Sequence, residues 1–304
     1  MDKVTVIIPS YNHADYIDET IESCLHQNYE GQIDIVIIDD CSTDSTRQVL
    51  KKYTNYKADN RSIEVVFKES NCGINHSLNI GLEYSVGRYI QVLASDDVMC
   101  RDKIKEQVNF LENNPSFDCV YSRGYIYDGY NKIEYFLNKF KEFYKIGRAL
   151  EYVSQQDWGG PLAQSGLFKV ELFKDLMHIR RDYKSDDWAM IIVALRDYSV
   201  GYYDIPCFLY RNHGDNTYKK YWKTFPMRID VASRLVDEKY RRKALSNIML
   251  SQSEYLWNDG CKLTSIKFLL ASNLICLNRN SIYVLARSLL SERILRILKS
   301  LRKI

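Results

Sequence analysis

Two aspartates stand side by side at three places, Asp39-Asp40, Asp96-Asp97 and Asp186-Asp187, each next to an apolar run. An acid pair in that setting has two ordinary uses. Its oxygens accept backbone N–H groups and so cap the turn or helix that follows, or they face a hard divalent cation that in turn holds an anionic ligand. Adjacent carboxylates also disfavour each other's ionisation, which moves a pKa toward useful base strength, while a helix N-terminus opposes that shift. The clearest case is Arg88-Tyr89-Ile90-Gln91-Val92-Leu93-Ala94-Ser95-Asp96-Asp97. A β-prone apolar run that ends abruptly in two acids reads as a buried strand delivering them to the rim of a sheet.

The elements that must position these acids follow from periodicity. Val4–Ile8 reads as a buried strand broken by Pro9-Ser10-Tyr11-Asn12, and Ile17, Ile21, Cys24 and Leu25 then recur at helical spacing. Ile33–Ile38 is a second strand closed by Asp39-Asp40, and Ser42-Thr43-Asp44 offers a cap for a helix to about Tyr53. Strand Ile63–Phe67, a helix from about Ile74 to Ser85, strand Tyr89–Leu93, helix Arg101–Asn113 and strand Asp118–Tyr121 continue the rhythm. Such alternation predicts a mostly parallel sheet covered on both faces, with ligands outside the carboxyl ends of its strands. Both Asp39-Asp40 and Asp96-Asp97 fall at such ends. A dinucleotide-binding fold would place Gly-x-Gly-x-x-Gly after the first strand, and no glycine is there; a Walker phosphate loop is missing too.

Composition narrows the classes. Over 304 residues the chain is 46% hydrophobic and 27% charged, which is ordinary for a globular protein, and a formal net charge of +3 with no arginine-rich signature argues against nucleic acid. The eight cysteines are scattered without a Cys-x-x-Cys pair, which predicts a reducing, cytoplasmic setting. The first residues run straight into a strand pattern rather than a signal peptide, and no run of about 18 apolar residues is present to span a membrane.

Four motifs in register carry a family resemblance: Val6-Ile7-Ile8-Pro9-Ser10-Tyr11-Asn12, Val36-Ile37-Ile38-Asp39-Asp40-Cys41-Ser42-Thr43-Asp44, Asn71-Cys72-Gly73 with Asn79-Ile80-Gly81, and Leu93-Ala94-Ser95-Asp96-Asp97. Together they resemble the inverting family-two glycosyltransferases of GT-A fold, such as bacterial O-antigen and capsule sugar transferases, over residues 1 to about 215. The resemblance implies an α/β GT-A domain over 1–225, with a nucleotide-sugar half to about 115 and an acceptor half from 116. It puts Pro9, Tyr11, Asn12, Asp40, Asn71 and Asn79 around a UDP-sugar donor. Asp96 and Asp97 would face Mn2+ or Mg2+ and the donor diphosphate, with His213 reaching the metal and Arg211 the phosphates. Asp187, the acid just before Trp188, takes the position of the catalytic base. Two departures stand out: the common pattern has an acid where this chain has Ala94, and many relatives have an arginine where it has Leu78. They leave room for a non-catalytic donor-binding subunit, and nucleotidyl transfer to a sugar phosphate is a further alternative.

Beyond about residue 225 helical periodicity replaces strands, from Met227 to about Trp257 and from Lys262 to Leu277. In 281–304 six basic residues face one acid, Glu292; Leu290, Ile294, Ile297, Leu298 and Leu301 share one helical side, and Arg293, Arg296, Lys299 and Lys303 the other. That profile predicts a helix lying in a membrane interface. The expectation is a peripheral enzyme on the cytosolic face of the inner membrane, forming a β linkage with glucose or galactose on an undecaprenyl-diphosphate-linked saccharide or other glycan.

Overall fold

The computed structural model describes residues 2–127, 131–134, 137–155, 160–183, 187–214 and 221–276. These fall into two compact units, one built from residues up to 150 and from 160 to 214, the other from 151–155 and 221–276.

The first unit opens with β1 (Val4–Ser10), α1 (Ile17–Leu25), β2 (Ile33–Asp39), α2 (Thr46–Leu50), β3 (Lys57–Ala58), β4 (Arg61–Phe67), α3 (Ile74–Glu83) and β5 (Tyr89–Val92). It continues with β6 (Val98–Met99), α4 (Lys103–Asn113), β7 (Cys119–Tyr127), β8 (Lys132–Glu134) and α5 (Leu137–Lys145), and α6 (Ala149–Gln155) runs on into the second unit. Then come β9 (Gly166–Lys169), α7 (Val170–Tyr183), α8 (Asp187–Asp197) and β10 (Val200–Arg211). The strands form one sheet in the order β3-β4-β2-β1-β5-β9-β7-β10-β6, with β8 on β7. Its core, β4-β2-β1-β5, is parallel throughout, in keeping with the near-continuous apolar runs.

Alternation decides which helix covers which face. Val4, Val6, Ile8, Ile33, Ile35 and Ile37 join Ile17, Ile21 and Cys24 of α1 in one cluster. Ile7 and Ile38 point the other way, toward α3: a Cβ on Gly81 would come within 2.3 Å of the Ile7 side chain, so glycine there is what lets α3 lie close on β1. The chain moves outward from β1 through β2 to β4, then returns to the other side of β1 as β5. Strand order therefore reverses between β1 and β5, and a crevice must open where the loops after them diverge.

The second unit holds α9 (Tyr221–Arg234), α10 (Glu238–Asn258) and α11 (Lys262–Ile275). The periodic stretch from Met227 to Trp257 is thus two helices, separated at Leu235-Val236-Asp237, where Leu235 and Val236 are buried. The basic amphipathic stretch 281–304 lies outside the described residues.

Candidate active site

The loop after β1 and the loop after β2 are stitched together before any ligand is considered. Asn12 sits in the left-handed region (φ 55°), which asparagine tolerates better than most residues, and its N–H donates to Ser42 Oγ at 2.9 Å. Its Oδ1 accepts the Thr43 N–H at 2.8 Å, the His13 N–H donates to Thr46 Oγ1 at 3.0 Å, and the Ala14 N–H donates to Asp44 Oδ2 at 3.1 Å. Asp44 also accepts the Thr46 N–H at the start of α2, from one residue before the cap position Ser45, and so ties both loops. Pro9 pairs with Ile38 inside β1, which runs one residue further to Ser10, and Tyr11 presents an exposed ring just beyond.

Asp39 and Asp40 are both buried and both engaged. Asp39 Oδ2 accepts the Ser42 N–H at 3.1 Å and Arg47 Nε at 2.7 Å. Asp40 pairs with the buried Lys68 and accepts the Cys72 N–H at 2.9 Å and the Gly73 N–H at 2.7 Å. It thereby shapes the turn that carries the exposed Asn71 and ends at Gly73, whose φ of +84° favours glycine. Asn79, one helical turn further on, donates to the Asn75 carbonyl at 2.8 Å. Leu78 is fully buried, so this position belongs to the core of this chain.

After β5 the two acids part ways. Asp97 is fully buried, with Oδ2 accepting Gln164 Nε2 at 2.8 Å and Oδ1 accepting the Arg211 N–H at 2.8 Å. Burial first, then the neighbouring Asp96 charge, push its carboxyl well above the usual range, against the pull of those hydrogen bonds. Asp96 instead meets His213, Oδ2 to Nε2 at 2.8 Å. Register explains the meeting: β10 pairs antiparallel with β6, Leu209 opposite Val98, so the chain two residues beyond Leu209 arrives beside the chain two residues before Val98. Arg211 clamps the turn, its Nε donating to the Asp96 carbonyl at 2.9 Å while its guanidinium pairs with Glu19 and lies over Tyr16 and Tyr127.

His13, from the loop after β1, completes the group across the crevice between β1 and β5. One ligand atom from each of His13, Asp96 and His213 lies within 4.8 Å of the others, and the two imidazole centroids are 5.9 Å apart. His13 Nδ1 is 2.7 Å from Ser95 Oγ, while Thr20 Oγ1 donates to the Ser95 and Asp97 carbonyls at 3.0 and 2.8 Å, tying α1 to the same turn. Two imidazoles and a carboxylate form a donor set that fits a divalent transition ion such as Mn2+; Mg2+ prefers oxygen. His13 carries no sequence signal, because only the fold brings it to Asp96. Asp187 begins α8, whose next seven residues, Trp188 to Ala194, are all buried and hold it firmly. Its charge, after burial and Cys119, helps raise the hydroxyl pKa of the buried Tyr121. Asp186 lies outside the described residues. Gln164 and Ser165 are buried, and Gln164 serves Asp97.

The model for "Glycosyl transferase family 2" matches residues 5–176, more than half of the chain, and the chain belongs to that family. TuaG of Bacillus subtilis (strain 168), a glycosyltransferase provisionally assigned to teichuronic acid biosynthesis, is 44% identical over 108 residues, 36% of this chain and 41% of TuaG. WfaP of Escherichia coli, a UDP-Glc:alpha-D-GlcNAc-diphosphoundecaprenol beta-1,3-glucosyltransferase, is 39% identical over 127 residues, 41% of this chain and 47% of WfaP. The chain thus matches less than half the length of these relatives. Among solved structures, Staphylococcus aureus TarS 1-349 in complex with UDP-GlcNAc aligns over 89% of this chain and 81% of its own at 17% identity, with a TM-score of 0.59. The Pyrobaculum calidifontis mannosyltransferase PcManGT, in complex with GDP-Man and Mn2+, aligns over 94% and 79% at 19% identity, with a TM-score of 0.58. These likenesses show the GT-A fold.

Proposed function

We propose that the chain is an inverting hexosyltransferase that moves glucose or galactose from a UDP-sugar to a hydroxyl of a lipid-diphosphate-linked or other glycan acceptor, forming a β linkage in bacterial surface polysaccharide. The observation that carries this reading is the convergence of Asp96, His213, His13 and Arg211 at the reversal of strand order in a family 2 chain. The relatives' printed activities support the choice of donor and acceptor.

On this reading Tyr11 offers a ring face to the base, and Pro9, Asn12, Asn71 and Asn79 line the donor pocket. Asp40, already holding Lys68 and two amides, retains acceptor capacity for a base N–H, since a carboxylate takes up to about four hydrogen bonds. A divalent cation on Asp96, His213 and His13 would neutralise charge on the departing diphosphate. Asp97 holds the turn, and Arg211 fixes it from the other side. Asp187 accepts the acceptor hydroxyl's proton as that oxygen attacks the anomeric carbon opposite the leaving group, so one C–O bond forms as another breaks and the centre inverts. With a lipid-linked acceptor the enzyme works at the cytosolic face of the membrane, and the basic segment 281–304 is suited to holding it there.

The test is a purified chain with Mn2+ and a panel of UDP-sugars, read as sugar transfer and UDP release. Asp187→Asn should lower kcat by roughly a hundredfold to ten-thousandfold with little change in donor KM. Parent-like activity in that variant, or no transfer and no donor hydrolysis by the parent, overturns the reading.

A further inference from the structure

The α10–α11 hairpin is packed with its polar groups inside. Ser253 and Ser265 meet at 3.0 Å between their hydroxyls, and Ser265 Oγ donates to the Ser253 carbonyl at 2.6 Å. Seven residues along each helix the pairing repeats: Ser246 and Ser272 hydroxyls are 3.0 Å apart, Ser272 Oγ donates to the Ser246 carbonyl at 2.8 Å, and Ser246 Oγ donates to the Cys276 carbonyl at 3.1 Å. All four serines are buried, with the Leu250–Leu269 contact between the pairs. The opposite side of α11 is apolar and open to solvent: Leu263 is 76% exposed, Leu270 54% and Leu274 85%. At about 100° per residue these three fall within roughly 40° of one another, with Lys267 beside them.

Serines inside and leucines outside reverse the arrangement that water imposes on a helix pair. In a lipid setting the same arrangement is the favourable one, because small hydroxyl residues let helices approach and bond while leucine meets hydrocarbon. Among the described residues no helix is long and apolar enough to cross a membrane, and α11, at 14 residues, is about 21 Å long. A helix of this kind lies along the surface. Charge selects the kind of surface: from Lys262 to Ile304 the sequence has nine basic residues (262, 267, 279, 287, 293, 296, 299, 302, 303) and one acid, Glu292. The serine pairs run antiparallel, so the exposed Lys239 and Arg242 on the first turns of α10 lie toward the Leu274 end of α11. We infer that the outward face of α11, centred on Leu263, Leu270 and Leu274, seats in the interface of an anionic lipid bilayer. Lipid binding by this face does not depend on the donor chemistry proposed above.

The full chain is tested by flotation with vesicles of phosphatidylcholine alone and of phosphatidylcholine with phosphatidylglycerol. The parent should float with the anionic vesicles, and the triple change Leu263→Gln, Leu270→Gln, Leu274→Gln should weaken partitioning by roughly a hundredfold or more. Lys267→Gln with Arg242→Gln should weaken it by roughly tenfold and only on anionic vesicles. Thermal melting and UDP binding of each variant, unchanged from the parent, show that folding and the donor site are intact; failure of the parent to bind UDP would count against the donor reading and leave this one standing. Flotation of the triple variant at the parent level overturns the inference, since the segment 281–304 would then suffice. So does a parent that never floats, or one whose dimer, seen by sedimentation velocity, is abolished by the triple change without any vesicle binding.

Discussion

Two acid pairs leave parallel strands of the same sheet in the same way, yet they are built for different work. At Asp39-Asp40 every charge meets a matched cation, Arg47 on one and Lys68 on the other, and both carboxylates brace the backbone of a turn. At Asp96-Asp97 only the second acid is spent that way, on Gln164 and the Arg211 N–H, while the first faces two imidazoles. A carboxylate satisfied by lysine is a strut; a carboxylate satisfied by histidine is in position to exchange that partner for a metal ion. The motif is therefore two residues of acid, and the chemistry is decided by what the rest of the fold delivers to it.

The sharpest way to break this contrast is to remove one carboxylate from the second pair. Asp96→Asn should lower transfer by roughly a thousandfold and abolish saturable Mn2+ binding measured by titration, because the only carboxylate of the donor set is gone. The variant should melt close to the parent, since among the described residues the Asp96 side chain braces no backbone amide. Equal activity in the variant would dissolve the distinction between the pairs. At the first pair the corresponding change is Lys68→Met, which leaves Asp40 buried without its cation. Two amides still hold that carboxylate, so the loss should fall near the lower end for a broken buried pair, about 3 kcal/mol in chemical denaturation. Donor binding should fall with it as the Cys72-Gly73 turn loosens.

Much of the first pair's setting is legible in sequence, whereas for the second the resemblance names His213 and Arg211 and misses His13. The four parallel strands are apolar runs, three of them closed by proline or aspartate, and their order of appearance with helices between them predicts the sheet. The strands β3, β6, β8 and β9 are two to four residues long, too short for any period to show. Asp40 and the Asn71–Gly73 turn, 32 residues apart at Cys72, follow adjacent strands, β2 and β4, so the motif reading finds both. The partners of the second pair come from residues 13, 164, 211 and 213. His13 reaches Asp96 only because strand order reverses between β1 and β5, and Arg211 only because β10 pairs antiparallel with β6. Nothing local in the sequence states either fact. For the same reason the sequence leaves the roles of Asp96 and Asp97 unassigned, since Gln164 makes the difference.

A third buried charge shows what the first pair avoids. Lys103, at the start of α4, is buried like Lys68, but its ammonium donates to neutral acceptors, Gln107 Oε1 and, at 3.3 Å, the Gly166 carbonyl. Burial without a carboxylate pushes its pKa down from 10.5 to about 8. The sign of the consequence is fixed. Between about 8 and 10.5 the unfolded chain holds a proton that the native lysine has released, so this residue makes stability rise with pH across that window and imposes its full cost below pH 8. Lys103→Met removes the cost while keeping the packing volume. It should raise stability at pH 7 by on the order of 2 kcal/mol, less than the whole shift implies because the bonds to Gln107 and Gly166 are lost as well. Denaturation midpoints for parent and variant, measured from pH 7 to pH 10.5, should converge as pH rises. Parallel curves across that range would mean that Lys103 finds a counter-charge in solution, and the contrast with Lys68 would fall.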